Sequence, residues 1–217
     1  MLTARSLGAS HDWLLATKDT NNLITYDEFV AAVTNAAYPA PTEQQYAGLS
    51  VAAAGGGVST RGDLAQFLAQ ILWESDGLQS KEDYLAANSP REAAAAYGGP
   101  GDGGETYHGR GYIQLTWADN YRAASQDLFG DDRLYQSPET VAQDEETAWA
   151  VSFWYWRTRV AVAPGYGQGF GATTKAINGA LECSGGDSTK AEKRYEIYTK
   201  VAAALNEKPL GPEGCYS

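Results

Sequence analysis

Apolar residues recur at helical spacing along most of this chain. In the clearest stretch they fall at positions i, i+3, i+4, i+7 and i+8, and so share one face of a helix. These residues are Leu64, Phe67, Leu68, Ile71 and Leu72. Asp63 follows Thr60 by three residues, a spacing typical of a helix N-terminus. At about 100° per residue, Glu74 ends this helix beside the apolar face rather than on the solvated side.

Further helices are predicted by capping residues and apolar periodicity. Thr25, Thr42 and Thr116 are each followed three residues later by Glu, Gln or Asp, which is typical of a helix start. Segment 138–158 is apolar nearly all round over its second half, as expected for a central buried helix. The predicted helices span 25–38, 42–55, 60–74, 116–130, 138–158, a short segment around Asn178, and 187–205.

The chain is predicted to form one mainly α domain over residues 1–217. Glycine-rich stretches at 98–111 and 164–171 are predicted to be loops, the first of them exposed. No convincing strand pattern, no repeat of 20 to 50 residues and no linker is present in the sequence. Trp117 shares an apolar face with Tyr121, so we expect it in the core.

Charge and hydropathy exclude several classes of partner. The formal net charge is −11, with 16 basic and 27 acidic residues, and no cluster of Lys or Arg is present to hold nucleic acid. The balance fits a neutral polymer better than an anionic one. The apolar stretches are interrupted too often to cross a bilayer, so no membrane partner is expected.

No metal site is expected. Asp19 to Glu28 resembles a calcium-binding loop, but it spans ten positions where twelve are needed and lacks the central Asp-Gly. Cys183 and Cys215 match no zinc spacing, even with His11 and His108. A disulfide between the two cysteines is favoured over free thiols, and it implies an oxidising compartment.

The position of Glu74 suggests acid catalysis. A carboxyl group beside an apolar face is partly desolvated, so its pKa rises and it stays protonated, as a glycosidase acid requires. The alternative is a structural Glu at a frayed helix end. A second carboxylate is needed, and Glu82 follows eight positions later, although a Lys-Glu-Asp triplet is also typical of solvated surface. Glu92 and Glu105 are other candidates.

Several segments resemble glycoside hydrolase family 19, which comprises chitinases and related phage endolysins. The segments FLAQILWESDGL (67–78), HGRGYIQLTW (108–117), AINGALECSGG (176–186) and the terminal GCYS occur in the family's order, between about Phe67 and Ser217. The sequence departs from the family at Trp73, where the family has His, at Tyr112, where it has Pro, and in lacking the plant enzymes' additional cysteines. Glu82 aligns with the family's second acid only across a one-residue gap.

The resemblance implies a role for each matching residue. Glu74 would be the catalytic acid and Glu82 the base, and Thr116 would help to hold the attacking water. Residues implied to bind substrate or set the electrostatics of the acids are Gln114, Asn120, Asn178 and Arg194. Each has a structural alternative: Thr116 would only cap a helix, Asn120 would lie on a helix surface, and Arg194 would pair with Glu192 or Glu196.

The resemblance also implies a fold and an activity. We expect a two-lobed, lysozyme-like fold with a substrate groove between the lobes. It would cleave β-1,4 bonds in an N-acetylglucosamine polysaccharide with inversion, chitin being favoured over peptidoglycan. A non-hydrolysing carbohydrate-binding protein is the alternative from another class. No cofactor is implied, and a secreted monomer is expected. Aromatic residues that would stack on sugars are Tyr107, Tyr112, Trp117 and Tyr166, although the core assignment of Trp117 is preferred.

Overall fold

A computed structural model describes residues 23–97, 105–183 and 188–216, and the secondary structure of this part is almost entirely helical. Its α-helices are α1 Tyr26–Asn35, α2 Glu43–Ala53, α3 Arg61–Glu74, α4 Tyr84–Asn88, α5 Pro90–Ala96, α6 Ala118–Phe129, α7 Arg133–Gln136, α8 Thr140–Gln143, α9 Glu145–Tyr155, α10 Gly171–Glu182 and α11 Thr189–Ala204. In the ranges described, no helix is both long and apolar enough to cross a bilayer. The mainly α prediction is confirmed.

The predicted N-termini of α1, α2 and α3 are confirmed. Thr25 and Thr42 each form a reciprocal capping box, and the Thr60 side chain accepts a hydrogen bond from the Asp63 amide. Helix α1 ends at Asn35, three residues before the predicted end, because Ala37 adopts a positive φ of 70°. A residue in that conformation cannot continue a right-handed helix.

Helix α3 runs through the core and carries Glu74 at its last turn. Its residues from Leu64 to Leu72 are all buried. After the Ser75 C-cap, Asp76, Gly77 and Leu78 have successive positive φ angles of 50°, 65° and 68°, which reverse the chain sharply. At Gly77 a Cβ would lie 2.3 Å from the ring of Tyr38, so only glycine fits this turn without displacing that ring. The turn leads the chain back towards Glu82.

The central buried helix is α9, and it begins later than predicted. The prediction of one helix over 138–158 is wrong in its first part, because Asp144 has an extended backbone. Its side chain accepts a hydrogen bond from the Thr147 amide and so caps a new helix that begins at Glu145. The chain then continues past Tyr155 as a π-helical turn, Trp156–Val160. The ring of Phe67 on α3 stacks on Phe153 at 4.2 Å and meets Trp156 edge-on at 5.4 Å, which fixes α3 against α9.

The glycine-rich stretch 98–111 is only partly described. Residues 98–104 lie outside the described residues, and the prediction of an exposed loop is wrong for 105–111. There Tyr107, His108 and Arg110 are all buried. The amide of Asp83 donates to the Gly109 carbonyl (2.9 Å), and that of Gly111 donates to the Lys81 carbonyl (2.8 Å). This pairing fixes the segment around Glu82 against the segment that carries His108.

Thr116 does not cap α6. Its hydroxyl donates to the Gln114 carbonyl at 2.9 Å, and the helix starts after Trp117, which has a φ of 80° and offers no side-chain cap. The Trp117 amide donates to the Tyr107 carbonyl at 2.8 Å, and its side chain is 50% exposed. The core assignment of Trp117 is therefore wrong. Gly130, in the left-handed conformation, ends α6 as predicted.

The C-terminal part contains α10, α11 and the tail. Helix α10 carries Asn178, as predicted, with a local break in the helix at that residue. The prediction of a final helix over 187–205 agrees with α11, apart from residue 187, which is outside the described residues. A disulfide joins Cys183 to Cys215, which confirms that prediction.

Candidate active site

A cleft of about 260 Å³ opens beside the end of α3. Among the described residues it is lined by Glu74, Ser80, Glu82, Asp83, Tyr84, Gly109, Gln114 and Thr116. Both predicted catalytic carboxylates therefore face one cleft, together with Gln114 and Thr116. Glu92 and Glu105, the other candidates for the second acid, are not part of its lining; Glu92 lies exposed on α5.

Glu74 lies in the lining of this cleft and is mostly buried, with 18% of its side chain exposed. Burial raises its pKa, because the ionised carboxylate loses hydration. The Arg194 guanidinium, 2.5 Å from Glu74 Oε1, opposes this effect, and the charge of Glu182 adds to it. The predicted raised pKa of Glu74 is therefore supported by its surroundings.

Arg194, on α11, is fully buried, and it contacts groups on two other helices, α3 and α10. Its Nε and Nη2 donate to the two carboxylate oxygens of Glu182 at 2.8 and 2.9 Å, and its Nη1 donates to Gln70 Oε1 at 2.7 Å. The guanidinium also lies 5.5 Å from the centre of the Trp73 ring. Its predicted alternative partners are elsewhere, with Glu192 bonded to Ser188 and Glu196 to Lys200, so that alternative is wrong.

Glu182 is a buried carboxyl beside Arg194 that the sequence analysis did not single out. Burial alone would raise its pKa, but the hydrogen bonds and charge of Arg194 outweigh burial and lower it. Two carboxyl groups thus share one buried guanidinium; the charge of Glu182 raises the pKa of Glu74, whereas Arg194 and Lys190 lower it. Because Glu182 holds Arg194 through two aligned hydrogen bonds, the proton is favoured on Glu74.

Asn178 lies behind the cleft in this arrangement. Its Nδ2 donates to Glu182 Oε1 at 2.7 Å, and its backbone leaves helical geometry with φ −143° and ψ 31°. Its side chain therefore helps to orient Glu182, and it is not among the residues that line the cleft. The predicted direct role in substrate binding stays a prediction.

Glu82 has a different environment from Glu74. Its side chain is 41% exposed, and Oε1 lies within hydrogen-bond distance of His108 Nε2, at 2.8 Å. The Nε of Arg110 lies 3.4 Å from the same oxygen. Glu82 is thus hydrated on one side and held by buried nitrogen groups on the other.

Gln114, Thr116 and Asn120 lie close together in the chain, and the first two line the cleft. Gln114 adopts a positive φ of 55°, and its Nε2 donates to the Gly111 carbonyl at 3.0 Å. Asn120, on the first turn of α6, donates to the Thr116 carbonyl at 2.8 Å. Gln114 and Thr116 therefore reach the cleft, whereas Asn120 supports the backbone of Thr116.

The four aromatic residues predicted to stack on sugars have different surroundings. Tyr107 and Tyr112 are buried, with Tyr107 stacked on Tyr135 and the Tyr112 hydroxyl bonded to Glu145, so stacking of these two rings on a sugar is contradicted. The Tyr166 hydroxyl donates to Asp63 at 2.9 Å, far along α3 from Glu74. The exposed rings near the cleft are those of Trp117 and of Tyr84, which had not been predicted.

The described residues contain no group of three or more His, Cys, Asp or Glu side chains that could hold a metal ion. The cleft is thus lined by two carboxyl groups in unlike surroundings, one desolvated and one hydrated. Such a pair separates the roles of proton donor and proton acceptor.

Comparison with known proteins places the chain in a family. The family model of glycoside hydrolase family 19, described as chitinase class I, matches residues 15–167. An acidic endochitinase of Beta vulgaris is 40% identical over 151 residues, which cover 68% of this chain and 50% of that protein. The endochitinase EP3 of Arabidopsis thaliana is 38% identical over 152 residues, covering 69% and 54%. This chain thus spans about half the length of these relatives.

Solved structures agree with the sequence relatives. Chitinase C from Streptomyces griseus superposes with a TM-score of 0.71 at 29% identity, covering 87% of this chain and 95% of the other. A bacterial family 19 chitinase superposes with a TM-score of 0.68 at 31% identity, covering 87% and 98%. The predicted lysozyme-like fold of this family is confirmed by these neighbours. The chain belongs to glycoside hydrolase family 19.

Proposed function

We propose that this protein hydrolyses β-1,4 bonds between N-acetylglucosamine units of chitin, with inversion at the anomeric carbon. The observation that carries the proposal is the pair of carboxyl groups in one cleft, Glu74 desolvated and Glu82 exposed. An inverting glycosidase needs one carboxylic acid to protonate the leaving oxygen and one carboxylate to activate water on the opposite face.

The proton transfers follow from the two environments. Glu74 gives its proton to the glycosidic oxygen as the C1–O bond breaks, and the resulting carboxylate is stabilised by Arg194, 2.5 Å away. A water oxygen bonds to C1 from the other face, and Glu82 accepts the proton that the water loses. Thr116 and Gln114 lie on the same cleft wall and would orient that water and the sugar.

Chitin is favoured as substrate by two independent considerations. The relatives are named endochitinases or chitinases. The net charge of −11 also disfavours an anionic polymer. We further propose that the chain forms a single domain and acts as a monomer. We also propose that it is secreted, because the Cys183–Cys215 disulfide persists best in an oxidising compartment.

Substitution of the two acids tests the mechanism. Glu74→Gln should abolish release of products from N-acetylglucosamine oligomers, and Glu82→Ala should reduce turnover by roughly 10²–10⁴-fold. Azide should partly restore the Glu82→Ala variant and yield a glycosyl azide of inverted configuration, because azide needs no general base. Glu92→Ala is the matched control, since Glu92 is an exposed acid away from the cleft, and it should stay within a few-fold of wild type.

Several outcomes would contradict the proposal. Residual turnover above a few per cent in Glu74→Gln would show that the acid lies elsewhere. An inactive Glu92→Ala or Glu105→Ala with an active Glu82→Ala would show that the base is misassigned. Clearing of Gram-positive cell walls without hydrolysis of chitin oligomers would favour a muramidase. Tight binding of oligomers with no hydrolysis at all would favour a carbohydrate-binding protein.

A further inference from the structure

His108 is a buried histidine in direct contact with the proposed base. Its side chain is 7% exposed, and Nε2 lies 2.8 Å from Glu82 Oε1. The other ring nitrogen, Nδ1, lies 3.0 Å from the Thr106 hydroxyl and 3.4 Å from Arg110 Nη2. Both ring nitrogens therefore have polar partners within the protein.

These partners select one tautomer of the imidazole. Glu82 Oε1 is an acceptor when the carboxyl is ionised, so Nε2 must carry the hydrogen. A guanidinium can only donate, and the Thr106 hydroxyl can donate too, so Nδ1 presents its lone pair to them. A hydrogen on Nδ1 would point at the charged Arg110. The tautomer protonated at Nε2 is thus assigned from the hydrogen-bond network.

Arg110 is held independently of Glu82. Its Nη1 donates to the Thr106 carbonyl at 2.7 Å and to the Tyr121 hydroxyl at 3.2 Å, while its Nε is 3.4 Å from Glu82 Oε1 without an aligned hydrogen bond. The Tyr121 hydroxyl in turn donates to the His108 carbonyl at 2.7 Å. The ring of Tyr97 lies 6.5 Å from the imidazole. The position of His108 is therefore set by contacts that do not involve Glu82.

We infer that His108 is a positioning residue for Glu82, an inference that rests on the proposed function of Glu82 as the base. The imidazole commits Oε1 of Glu82 to a fixed Nε2–H donor. Oε2 forms no hydrogen bond within the described part of the chain, and it is thereby left as the oxygen that receives the proton from water. A half-exposed carboxylate without this contact would sample several rotamers, and misplacement by about 1 Å can lower a rate by roughly 10².

Two amide variants provide a matched test. In His108→Gln the side-chain amide nitrogen takes the place of Nε2, whereas in His108→Asn it reaches only as far as Nδ1. We expect His108→Gln to keep turnover of N-acetylglucosamine hexamer within about fivefold of wild type. His108→Asn should lose on the order of 10–100-fold in kcat with KM changed less than about twofold. Equal losses in the two variants would overturn the inference.

A double-mutant cycle separates positioning of Glu82 from a general structural effect. Glu82→Ala rescued by azide has no base to position, so adding His108→Asn should change the azide-dependent rate by less than about twofold. A loss as large as in the wild-type background would show that His108 acts through some other group. Thermal melting of each variant identifies any loss that is due to unfolding.

A spectroscopic readout does not depend on activity. With ¹⁵N-labelled histidine, the signal that disappears in His108→Gln should show the Nε2–H tautomer at pH 7, and Glu82→Ala should shift it. The Nδ1–H tautomer, or no response to Glu82→Ala, would overturn the inference. An inactive wild-type protein would refute the proposed function instead, while the tautomer and its response would still decide for or against the contact of His108 with Glu82.

Discussion

Replacing both disulfide cysteines with serine should lower the free energy of unfolding by an amount that depends on the length of the loop they close. Cys183 and Cys215 are 32 positions apart. Closing a loop of that length in the unfolded chain removes entropy equivalent to ~3.7 kcal/mol at 25 °C. A domain of this kind is stable by about 5–15 kcal/mol, so the loss is a large fraction of the total. The midpoint of thermal unfolding should fall by about 7–15 °C.

The enclosed loop contains α11 and therefore Arg194. The tail that follows packs closely on the start of α10, where a Cβ at Gly171 would lie 2.6 Å from the Cys215 amide nitrogen. Glu182, next to Cys183, makes two hydrogen bonds to Arg194 and one to Asn178, and none of these involves the disulfide. The double serine variant should thus be less stable but, well below its melting point, retain turnover within a few-fold of wild type.

Urea unfolding followed by tryptophan fluorescence measures this change, with wild type in the presence of a reductant as an independent reference. Both should lose similar stability, and the unfolded, unreduced wild type should contain no titratable thiol. A loss below about 1 kcal/mol would refute the loop-closure reasoning. Two free thiols in the unreduced wild type would refute the pairing itself, and with it the argument for an oxidising compartment.

Two further predictions concern the buried carboxyl groups. Glu182→Gln removes a negative charge that raises the pKa of Glu74 and leaves Arg194 more available to it, so the basic limb of the pH–kcat profile should move to lower pH and turnover at pH 7 should fall by ~10–100-fold. An unchanged profile would contradict the shared-guanidinium argument. Because the folded-state pKa of Glu74 is raised, wild type loses stability as pH rises through that pKa. The free energy of unfolding of Glu74→Gln minus that of wild type, measured in urea, should therefore increase between pH 4 and pH 8; a constant difference would show that Glu74 is not desolvated.

Elements whose signals are local were predicted well from the sequence. The capping boxes at Thr25 and Thr42 and the apolar face of α3 depend on residues within a few positions of one another, and all three appear as expected. The place of Glu74 beside the apolar face of α3 could be predicted for the same reason, since it follows from helical periodicity, whereas its predicted role as the acid needed the family resemblance. The fold and Glu82 needed the family resemblance, because neither follows from local pattern.

The errors lie where distant contacts override local preference. Thr116 has the spacing of a cap, but the Trp117 amide pairs with the Tyr107 carbonyl, and that contact favours a positive φ and an exposed indole. Glycines in 105–111 suggested an exposed loop, whereas they allow close packing: a Cβ at Gly109 would lie 2.8 Å from Gln114 Oε1. Glycine content alone does not distinguish the two situations.

The role of Glu182 could not be predicted from sequence, since it depends on an arginine twelve positions away whose charge also reaches Glu74, 120 positions away. The same is true of His108, which meets Glu82 across 26 positions. Glu74 and Glu82 are thus each in contact with a buried side chain, Arg194 and His108 respectively, that does not line the cleft.

The two carboxyl groups each have a buried arginine nearby, and the two arginines differ in what else they bind. Arg194 gives two aligned hydrogen bonds to Glu182, so much of its charge is already neutralised and Glu74 is left with the cost of burial. Arg110 donates to neutral oxygens of Thr106 and Tyr121, and its Nε lies 3.4 Å from Oε1 of the partly exposed Glu82. The cleft therefore presents one desolvated and one exposed carboxyl group, and this difference in environment is what the proposed division into proton donor and proton acceptor needs.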